Sequence, residues 1–171
     1  MDVNELRALQ APLKERYKQD PESAIISARA EGVVKSEDIE CSISRKIETA
    51  LAGLHPATGG DGSKACSADM LMEALVACAG VTLKAVATAM RLPLNSAKVI
   101  AEGKWDARGT LGVDRTAPVG LKEVRLIFEI DSSADSEKIK KLVQLTEHYC
   151  VIYQTLANSP KLESQFKILS Q

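Results

Sequence analysis

The composition describes a chain that can bury one substantial core. Of its 171 residues, 45% are hydrophobic and 26% are charged, which favours a single globular domain. The net charge of -1 and the pI near 6.2 exclude the strong positive charge by which proteins bind nucleic acids or anionic membranes. The N-terminus MDVNELRALQ has no apolar signal segment, and no apolar run approaches the roughly 20 residues of a membrane span. We therefore expect a cytoplasmic protein with neither nucleic acid nor membrane as partner.

The N-terminal segment predicts a helical arm. Leu6, Leu9 and Leu13 recur at intervals of three and four residues, which is the spacing of one helix face. Pro12 is expected to interrupt this helix, because proline lacks a backbone N–H. Residues 1–21 are therefore predicted to form an appended arm, and residues 22–171 the domain itself.

Paired strands and a long helix are predicted next. Residues 24–54 alternate apolar with polar side chains and are rich in isoleucine and valine, which indicates two strands that turn at KSED. The glycine-rich loop HPATGGDGS ends that pattern. A helix is then expected from the N-cap Ser67 to about Met90, with Asp69 in its first turn.

The composition of this helix predicts that it is enclosed on every side. Between Ala74 and Leu83 each residue is small, apolar or threonine, so no face suits water. A chain of this size cannot cover a helix of roughly 30 Å on all sides by itself. Small residues would also let a second helix approach closely, and a homodimer is the expected solution. These small residues are Ala74, Ala77, Ala79 and Gly80.

The second half predicts two strands, two helices and a final strand. The strands are KVIAEGKWDARG and LKEVRLIFEI, and in the latter Val124, Leu126, Phe128 and Ile130 share one face. Helical spacing follows over residues 135–146, and VIYQTLAN forms a second helical piece. The last segment, ESQFKILS, is expected to be a strand. This order of elements predicts the α+β class.

Four cysteines, Cys41, Cys66, Cys78 and Cys150, are too few and too scattered for a disulfide scaffold. Cys41 lies in an alternating strand and is interpreted as a small core residue. Cys66 directly precedes the long helix, where a thiolate is stabilised, so it is an alternative reactive or resolving thiol. Taken alone, Cys78 is interpreted as structural.

Two motifs resemble the osmotically inducible protein C family, the OsmC and Ohr proteins. CSADMLMEALVACAGVTLKAVA is similar to the central helix of that family, which carries an alanine–cysteine pair, and CVIYQTL is similar to its later helix, which begins with a second cysteine. The resemblance extends from about Ala24 to the C-terminus and is greatest to a less characterised OsmC-like branch. It implies an intertwined homodimer in which antiparallel sheets wrap two buried central helices.

The resemblance also implies a reaction. Characterised members are thiol-dependent peroxidases, so Cys78 is expected to attack the hydroperoxide and Cys150 to resolve the resulting sulfenic acid as a disulfide. An external thiol or dithiol would restore both thiols, and no cofactor is expected. The role would be defence against oxidative stress. The alternative is a non-catalytic protein on the same scaffold that binds a small apolar or thiol ligand at the dimer groove.

The peroxidatic thiol of this family is activated by an arginine held by a glutamate. This chain has the loop around His55 where the family has the arginine, and Asp69 one place after the position of the glutamate. Candidate replacements for the cation are Arg29, Arg45, His55 and His148, although each also has an ordinary structural interpretation.

Other site types have little support in the sequence. No spacing of cysteines and histidines fits a metal site, and TGGDGSK lacks the spacing of a phosphate loop. An apolar pocket favours an organic hydroperoxide over hydrogen peroxide. Its expected lining is Met70, Met72, Leu75, Val76 and Tyr149.

Overall fold

The computed structural model describes residues 2–19, 32–34, 40–43, 50–112 and 114–169. Its helices are α1 (Val3–Gln19), α2 (Ser67–Ala89), α3 (Ala107–Thr110), α4 (Ser136–Tyr149) and α5 (Val151–Ala157). Its strands are β1 (Gly32–Val34), β2 (Glu40–Ile43), β3 (Ala50–Gly53), β4 (Ser96–Lys104) and β5 (Glu123–Asp131). The α+β prediction is confirmed.

A two-stranded antiparallel sheet supports the long helix α2. Strands β4 and β5 pair along their full length, with Val99 opposite Phe128 and Ala101 opposite Leu126. These four side chains pack against the buried residues of α2, so the predicted apolar face of β5 points to the core. Helices α4 and α5 contact α2 as well. The central helix therefore has a sheet and two helices around it.

One stripe of α2 forms the core. Leu75, Ala79, Leu83 and Ala87 recur every four residues and are all fully buried. The predicted enclosure on every side is not present in the single chain, because Ala74, Ala77 and Val81 on another face are exposed. The N-cap is Cys66, one residue earlier than expected, and its side chain makes no capping hydrogen bond.

By length and composition alone, α2 could cross a membrane. It is 23 residues long and predominantly apolar, so the expectation that no segment is long and apolar enough was wrong. Alanine, leucine and valine raise its hydropathy in spite of Glu73 and Lys84. Its stripe of buried residues against the sheet and α4 identifies it as a core helix.

The first half contains more structure than predicted. A three-stranded antiparallel sheet in the order β1–β2–β3 replaces the expected pair of strands, with Cys41 of β2 opposite Ala52 of β3. Helix α1 continues through Pro12 instead of being interrupted there, and it contacts α2. A proline inside a helix removes one hydrogen bond and can bend the helix without ending it.

The predicted C-terminal strand is wrong for the single chain. Residues 159–169 form no helix or strand, and Leu162, Phe166, Ile168 and Leu169 are 75% to 89% exposed. Alternation of apolar side chains favours a strand only where a neighbouring edge supplies hydrogen bonds. Within the described part of the chain, no strand pairs with this segment.

The loop before α2 depends on a close approach of the backbone. His55 begins a 3₁₀ turn at Pro56–Thr58, and the following Gly60 lies against the carbonyl of Leu54. A Cβ atom at position 60 would lie 1.8 Å from that carbonyl oxygen. Any other residue would therefore displace the loop.

Leu142 is expected to carry much of the stability of the larger cluster. It is fully buried on α4 among Leu83, Ala87 and Leu92. Leu142→Ala should lower the free energy of unfolding by roughly 2–5 kcal/mol, because it removes buried methyl groups and leaves a cavity. Urea unfolding measures this, with the exposed neighbour Lys141→Ala as control. A loss no larger than that of the control would contradict this packing.

Candidate active site

Two thiols from different elements meet on the smaller core cluster. Cys78 lies in the middle of α2 and is partly exposed, and Cys150 lies between α4 and α5 and is fully buried. Both pack against Leu75 and Ala79. Each thiol is among the groups that shift the pKa of the other, as expected for neighbouring side chains. The two cysteines named in the sequence analysis are thus brought together.

Cys150 holds its position by serving as the cap of two helices. Its N–H donates to the carbonyl of Thr146 at 2.9 Å, which ends α4, and its carbonyl accepts from the N–H of Gln154 at 2.9 Å, which begins α5. Its Sγ accepts from the N–H of Tyr153 at 3.5 Å. The extended backbone at this one residue turns the chain and directs the thiol into the core.

The beginning of α5 faces Cys78. Burial raises the pKa of the Cys78 thiol, but four hydrogen-bond donors together lower it by more, so the net pKa lies below that of an ordinary thiol. The donors are, in order of effect, the N–H of Ile152, the thiol of Cys150, the N–H of Val151 and the hydroxyl of Thr82. Free N–H groups in the first turn of a helix stabilise an anion there.

The pKa of the Cys150 thiol is shifted in the opposite direction. Burial raises the pKa of its thiol, the N–H of Tyr153 lowers it in part, and the neighbouring Cys78 raises it further. The net pKa lies above that of an ordinary thiol. As the pH rises, the pair therefore loses its first proton mainly from Cys78, while Cys150 keeps its proton. At a pH between the two pKa values, the site therefore holds one thiolate and one thiol.

Thr82 offers a test of this electrostatic arrangement. Thr82→Val removes one donor to the Cys78 thiolate and is expected to raise the pKa of Cys78. Alkylation of Cys78 by iodoacetamide should then be roughly threefold slower at neutral pH, and the two rates should converge at high pH. Peptide mass spectrometry across a pH series resolves Cys78 from the other thiols. Thr82→Ser keeps the hydroxyl and should match the wild type, and equal profiles for all three proteins would contradict the assignment.

Two supporting residues predicted from the sequence lie away from the thiols. Asp69 is exposed in the first turn of α2, about 13 Å along the helix from Cys78. His55 caps the 3₁₀ turn through its Nδ1, which accepts from the N–H of Ala57 at 3.0 Å. Its ring packs edge-on against Trp105 with the centroids 5.4 Å apart. Among the described residues, neither is one of the groups that set the pKa of Cys78.

His148, another candidate cation, is likewise not one of the described groups that set the pKa of Cys78. His148 is exposed in the last turn of α4, and its ring packs on Tyr149. Arg29 and Arg45 lie outside the described residues. The part of the chain that the structure describes holds no cluster of three metal-binding side chains.

Sequence reasoning overlooked the backbone N–H groups of α5 as activating donors. The signal was present in the helical pattern that begins directly after Cys150. A search restricted to charged side chains could not find them.

The residues that were expected to line one apolar pocket lie in different parts of the structure. Met72 and Val76 face a cavity beside β4, Leu75 is buried against Cys150, and Tyr149 is exposed. Cys66 lines a different cavity at the beginning of α2. The side chain of Cys41 lies outside the described residues.

The long core helix α2 packs on an antiparallel sheet, and its Cys78 thiol faces the Cys150 thiol at the junction of α4 and α5. This combination of fold and site is that of a thiol protein of the OsmC-like class. The family described as OsmC-like protein matches residues 60–165 of this sequence. The chain belongs to that family. Among curated proteins, none matches the sequence significantly.

Solved structures share the fold at low sequence identity. An OsmC-like protein from Mycoplasma pneumoniae superposes with a TM-score of 0.66 at 20% identity, covering 78% of this chain and 89% of its own. An organic hydroperoxide resistance protein from Elizabethkingia anophelis gives 0.64 at 13% identity, with coverages of 79% and 91%. An organic hydroperoxide resistance protein OsmC from Legionella pneumophila gives 0.61 at 15% identity, with coverages of 77% and 90%. These similarities show the fold.

Proposed function

We propose that this protein is a thiol-dependent peroxidase that reduces organic hydroperoxides. The observation that carries the proposal is the paired thiol site, in which the pKa of Cys78 is lowered and that of the adjacent Cys150 is raised. A two-cysteine peroxidase needs one thiol that ionises readily to attack the peroxide, and a second thiol close by to convert the sulfenic acid to a disulfide. Two of the structural neighbours are named as organic hydroperoxide resistance proteins, which agrees with this chemistry.

In the first step, the Cys78 thiolate attacks the terminal oxygen of the hydroperoxide. An S–O bond forms and the O–O bond breaks, so the sulfur is oxidised to a sulfenic acid and the peroxide is reduced to an alcohol. The hydroperoxide proton stays on the transferred oxygen, and the leaving alkoxide takes a proton from water. The N–H groups of Val151 and Ile152 lower the pKa of Cys78 and so favour the thiolate that attacks.

In the second step, Cys150 attacks the sulfur of the Cys78 sulfenic acid. A disulfide forms, and the hydroxyl leaves with the proton of the Cys150 thiol as water. An external dithiol then reduces the disulfide by exchange and is itself oxidised. Burial of Cys150 beside Cys78 favours this reaction over further oxidation by a second peroxide. In a reducing cytoplasm, the resting state is the dithiol.

The surface around the site supports a homodimer. Val81, Tyr149 and Val151 are 74%, 61% and 69% exposed beside the thiols, and the apolar side chains of residues 159–169 are exposed as well. Exposed apolar surface of this extent is typical of a protein interface. We assign the interface to residues 22–171, with residues 1–21 as an arm outside it.

Size-exclusion chromatography with light scattering tests the dimer. The chain has a mass of 18.4 kDa, and the eluted species should have twice that mass. Val81→Lys places a charge in the exposed apolar surface and should shift the protein toward the monomer. An exposed control on the opposite side, Lys98→Ala, should leave the mass unchanged. A wild-type monomer at micromolar concentration would contradict the dimer.

Hydroperoxide consumption tests the proposed function. The purified protein is incubated with cumene hydroperoxide or hydrogen peroxide in the presence of dithiothreitol, and residual peroxide is measured over time. Consumption well above the rate of the reductant alone, faster with cumene hydroperoxide, is expected. Protein alkylated beforehand with iodoacetamide should be inactive. Consumption at the rate of the reductant alone would reject the peroxidase and leave a ligand-binding protein as the alternative.

A further inference from the structure

The side chain of Gln154 joins the two helices that meet at Cys150. Gln154 lies in α5, and its Nε2 donates to the main-chain carbonyl of Glu147, in the last turn of α4, at 2.9 Å. Both residues are partly buried. Within the part of the chain that the structure describes, this is the hydrogen bond by which a side chain of α5 reaches α4. We call it the Gln154 bridge.

The bridge replaces a hydrogen bond that the helix loses where the chain turns. In a continuous helix, the carbonyl of Glu147 would accept from the N–H four residues later, which is that of Val151. The extended backbone of Cys150 ends α4 before that bond forms, so this carbonyl is one of the groups left without a partner at a helix end. The amide of Gln154 satisfies it, and the N–H of Val151 is left to interact with Cys78.

A second amide fixes the orientation of Gln154. Nδ2 of Asn158, the C-cap residue of α5, donates to Oε1 of Gln154 at 3.2 Å. Because that oxygen is the acceptor, the amide nitrogen of Gln154 points the other way, toward Glu147. The two side chains thus form a line of hydrogen bonds from the end of α5 back to the end of α4.

The bridge spans the residues that act on the thiols. Cys150 lies between its two ends, and the N–H of Tyr153 donates to the Sγ of Cys150 at 3.5 Å. The N–H groups of Val151 and Ile152 are among the groups that lower the pKa of Cys78. All these contacts depend on the direction in which α5 leaves α4, and the Gln154 bridge constrains that direction.

Helix α5 is too short to hold this direction firmly by itself. It has seven residues, and none of them is fully buried. An isolated helix of this length is unstable in water. Its partly buried side chains pack on the smaller core cluster, but apolar contact is not directional, whereas a hydrogen bond to a fixed carbonyl is. The packing side chains are Ile152, Tyr153 and Leu156.

Resting on the proposed peroxidase, we propose that Gln154 is a positioning residue of the thiol pair, whose bridge to α4 holds Cys150 and the beginning of α5 against Cys78. Its side chain hydrogen-bonds to neither thiol, so it acts through the junction of the two helices. Without the bridge, the first turn of α5 is free to turn away from Cys78. Cys78 then ionises less readily, and Cys150 meets the sulfenic acid less often.

Three variants test the bridge. Gln154→Met keeps the length and helix propensity of the side chain and removes the amide. Asn158→Ala removes the support of that amide, so its effect should be smaller and in the same direction. Thr155→Val is the matched control, because the hydroxyl of Thr155 donates to the carbonyl of Val151 within α5 and does not reach α4. If Gln154→Met fails to fold by circular dichroism, Asn158→Ala, at an exposed position, takes its place.

The first readout is the pH profile of Cys78 alkylation by iodoacetamide in the reduced protein. In Gln154→Met, the midpoint should move to higher pH, and the rate at neutral pH should fall roughly three- to tenfold and converge with the wild type at high pH. Thr155→Val should match the wild type. A merely structural role would lower the urea midpoint of unfolding and leave the profile of the folded protein unchanged. That result would overturn the inference.

The second readout is over-oxidation of Cys78 by excess cumene hydroperoxide. Gln154→Met should accumulate more sulfinic acid for each peroxide consumed than the wild type, as measured by peptide mass spectrometry. An amount equal to that in Thr155→Val would overturn the claim that the bridge holds Cys150 in place.

The two readouts separate this inference from the proposed function, because alkylation requires no peroxidase activity. A shifted alkylation profile in Gln154→Met, in a protein that consumes no peroxide, would reject the peroxidase and keep the positioning role. Peroxide consumption together with identical profiles for Gln154→Met and wild type would reject the positioning role and keep the peroxidase.

Discussion

Replacing Cys78 with serine is expected to abolish hydroperoxide reduction. Cys78 is the thiol whose pKa the first turn of α5 lowers, and a serine hydroxyl at the same position would stay protonated and cannot form a sulfenic acid. Removing a catalytic nucleophile typically costs more than about 1,000-fold in rate. Consumption of cumene hydroperoxide with dithiothreitol should therefore fall to the rate of the reductant alone.

Cys66→Ser is the matched control for this loss. Cys66 is a free thiol at the N-cap of the same helix. It lines a separate cavity at the beginning of α2 and is not part of the Cys78–Cys150 pair. This variant should keep most of the activity. If Cys66→Ser lost the activity and Cys78→Ser kept it, the reactive thiol would be at the beginning of α2, and the assigned roles would be wrong.

Replacing Cys150 with alanine is expected to allow the first oxidation of Cys78 but not its resolution. Without the second thiol, the sulfenic acid persists, and excess hydroperoxide converts it to the irreversible sulfinic acid. The first step should also slow at neutral pH, because the Cys150 thiol is one of the donors that lower the pKa of Cys78. Mass spectrometry should find two added oxygen atoms on the peptide that contains Cys78, and activity should decline within a few turnovers.

The variant Thr146→Ala distinguishes the loss of the resolving thiol from a loss of local packing. Thr146 is fully buried on α4 beside Cys150, and its hydroxyl donates to the carbonyl of Leu142 at 2.8 Å. Its loss should lower stability by about 1 kcal/mol and leave both thiols in place. The variant should resist over-oxidation like the wild type. If Thr146→Ala were over-oxidised as much as Cys150→Ala, local stability, and not the second thiol, would be what protects Cys78.

The sequence predicted the parts of the fold that follow from local pattern. The uncharged run from Ala74 to Leu83 defined α2, and the alternation in residues 123–131 defined β5. It could not establish whether residues 159–169 form a strand, because a strand requires a partner edge that no local pattern supplies. The passage of α1 through Pro12 was missed for a similar reason, since a kinked helix and an interrupted one share the same spacing.

The candidate site was predictable only in part. The resemblance singled out Cys78 and Cys150, and the fold places their side chains on one cluster. The search for a cation assumed that a thiolate in the middle of a helix needs a charged partner. Among the described residues, the N–H groups of Ile152 and Val151 lower the pKa of Cys78 instead, and their placement depends on where α5 begins relative to α2. Such an arrangement arises from the packing of α5 against α2, and no particular residue type in the sequence indicates it.

The most direct test of this account is to map the disulfide that one equivalent of hydroperoxide produces. The reduced protein is treated with one equivalent of cumene hydroperoxide, remaining thiols are alkylated, and the peptides are identified by mass spectrometry without reduction. The account predicts a peptide pair linked through Cys78 and Cys150, with Cys66 alkylated. A protein in which Cys78 and Cys150 are both alkylated, or in which Cys66 forms the disulfide, would contradict it.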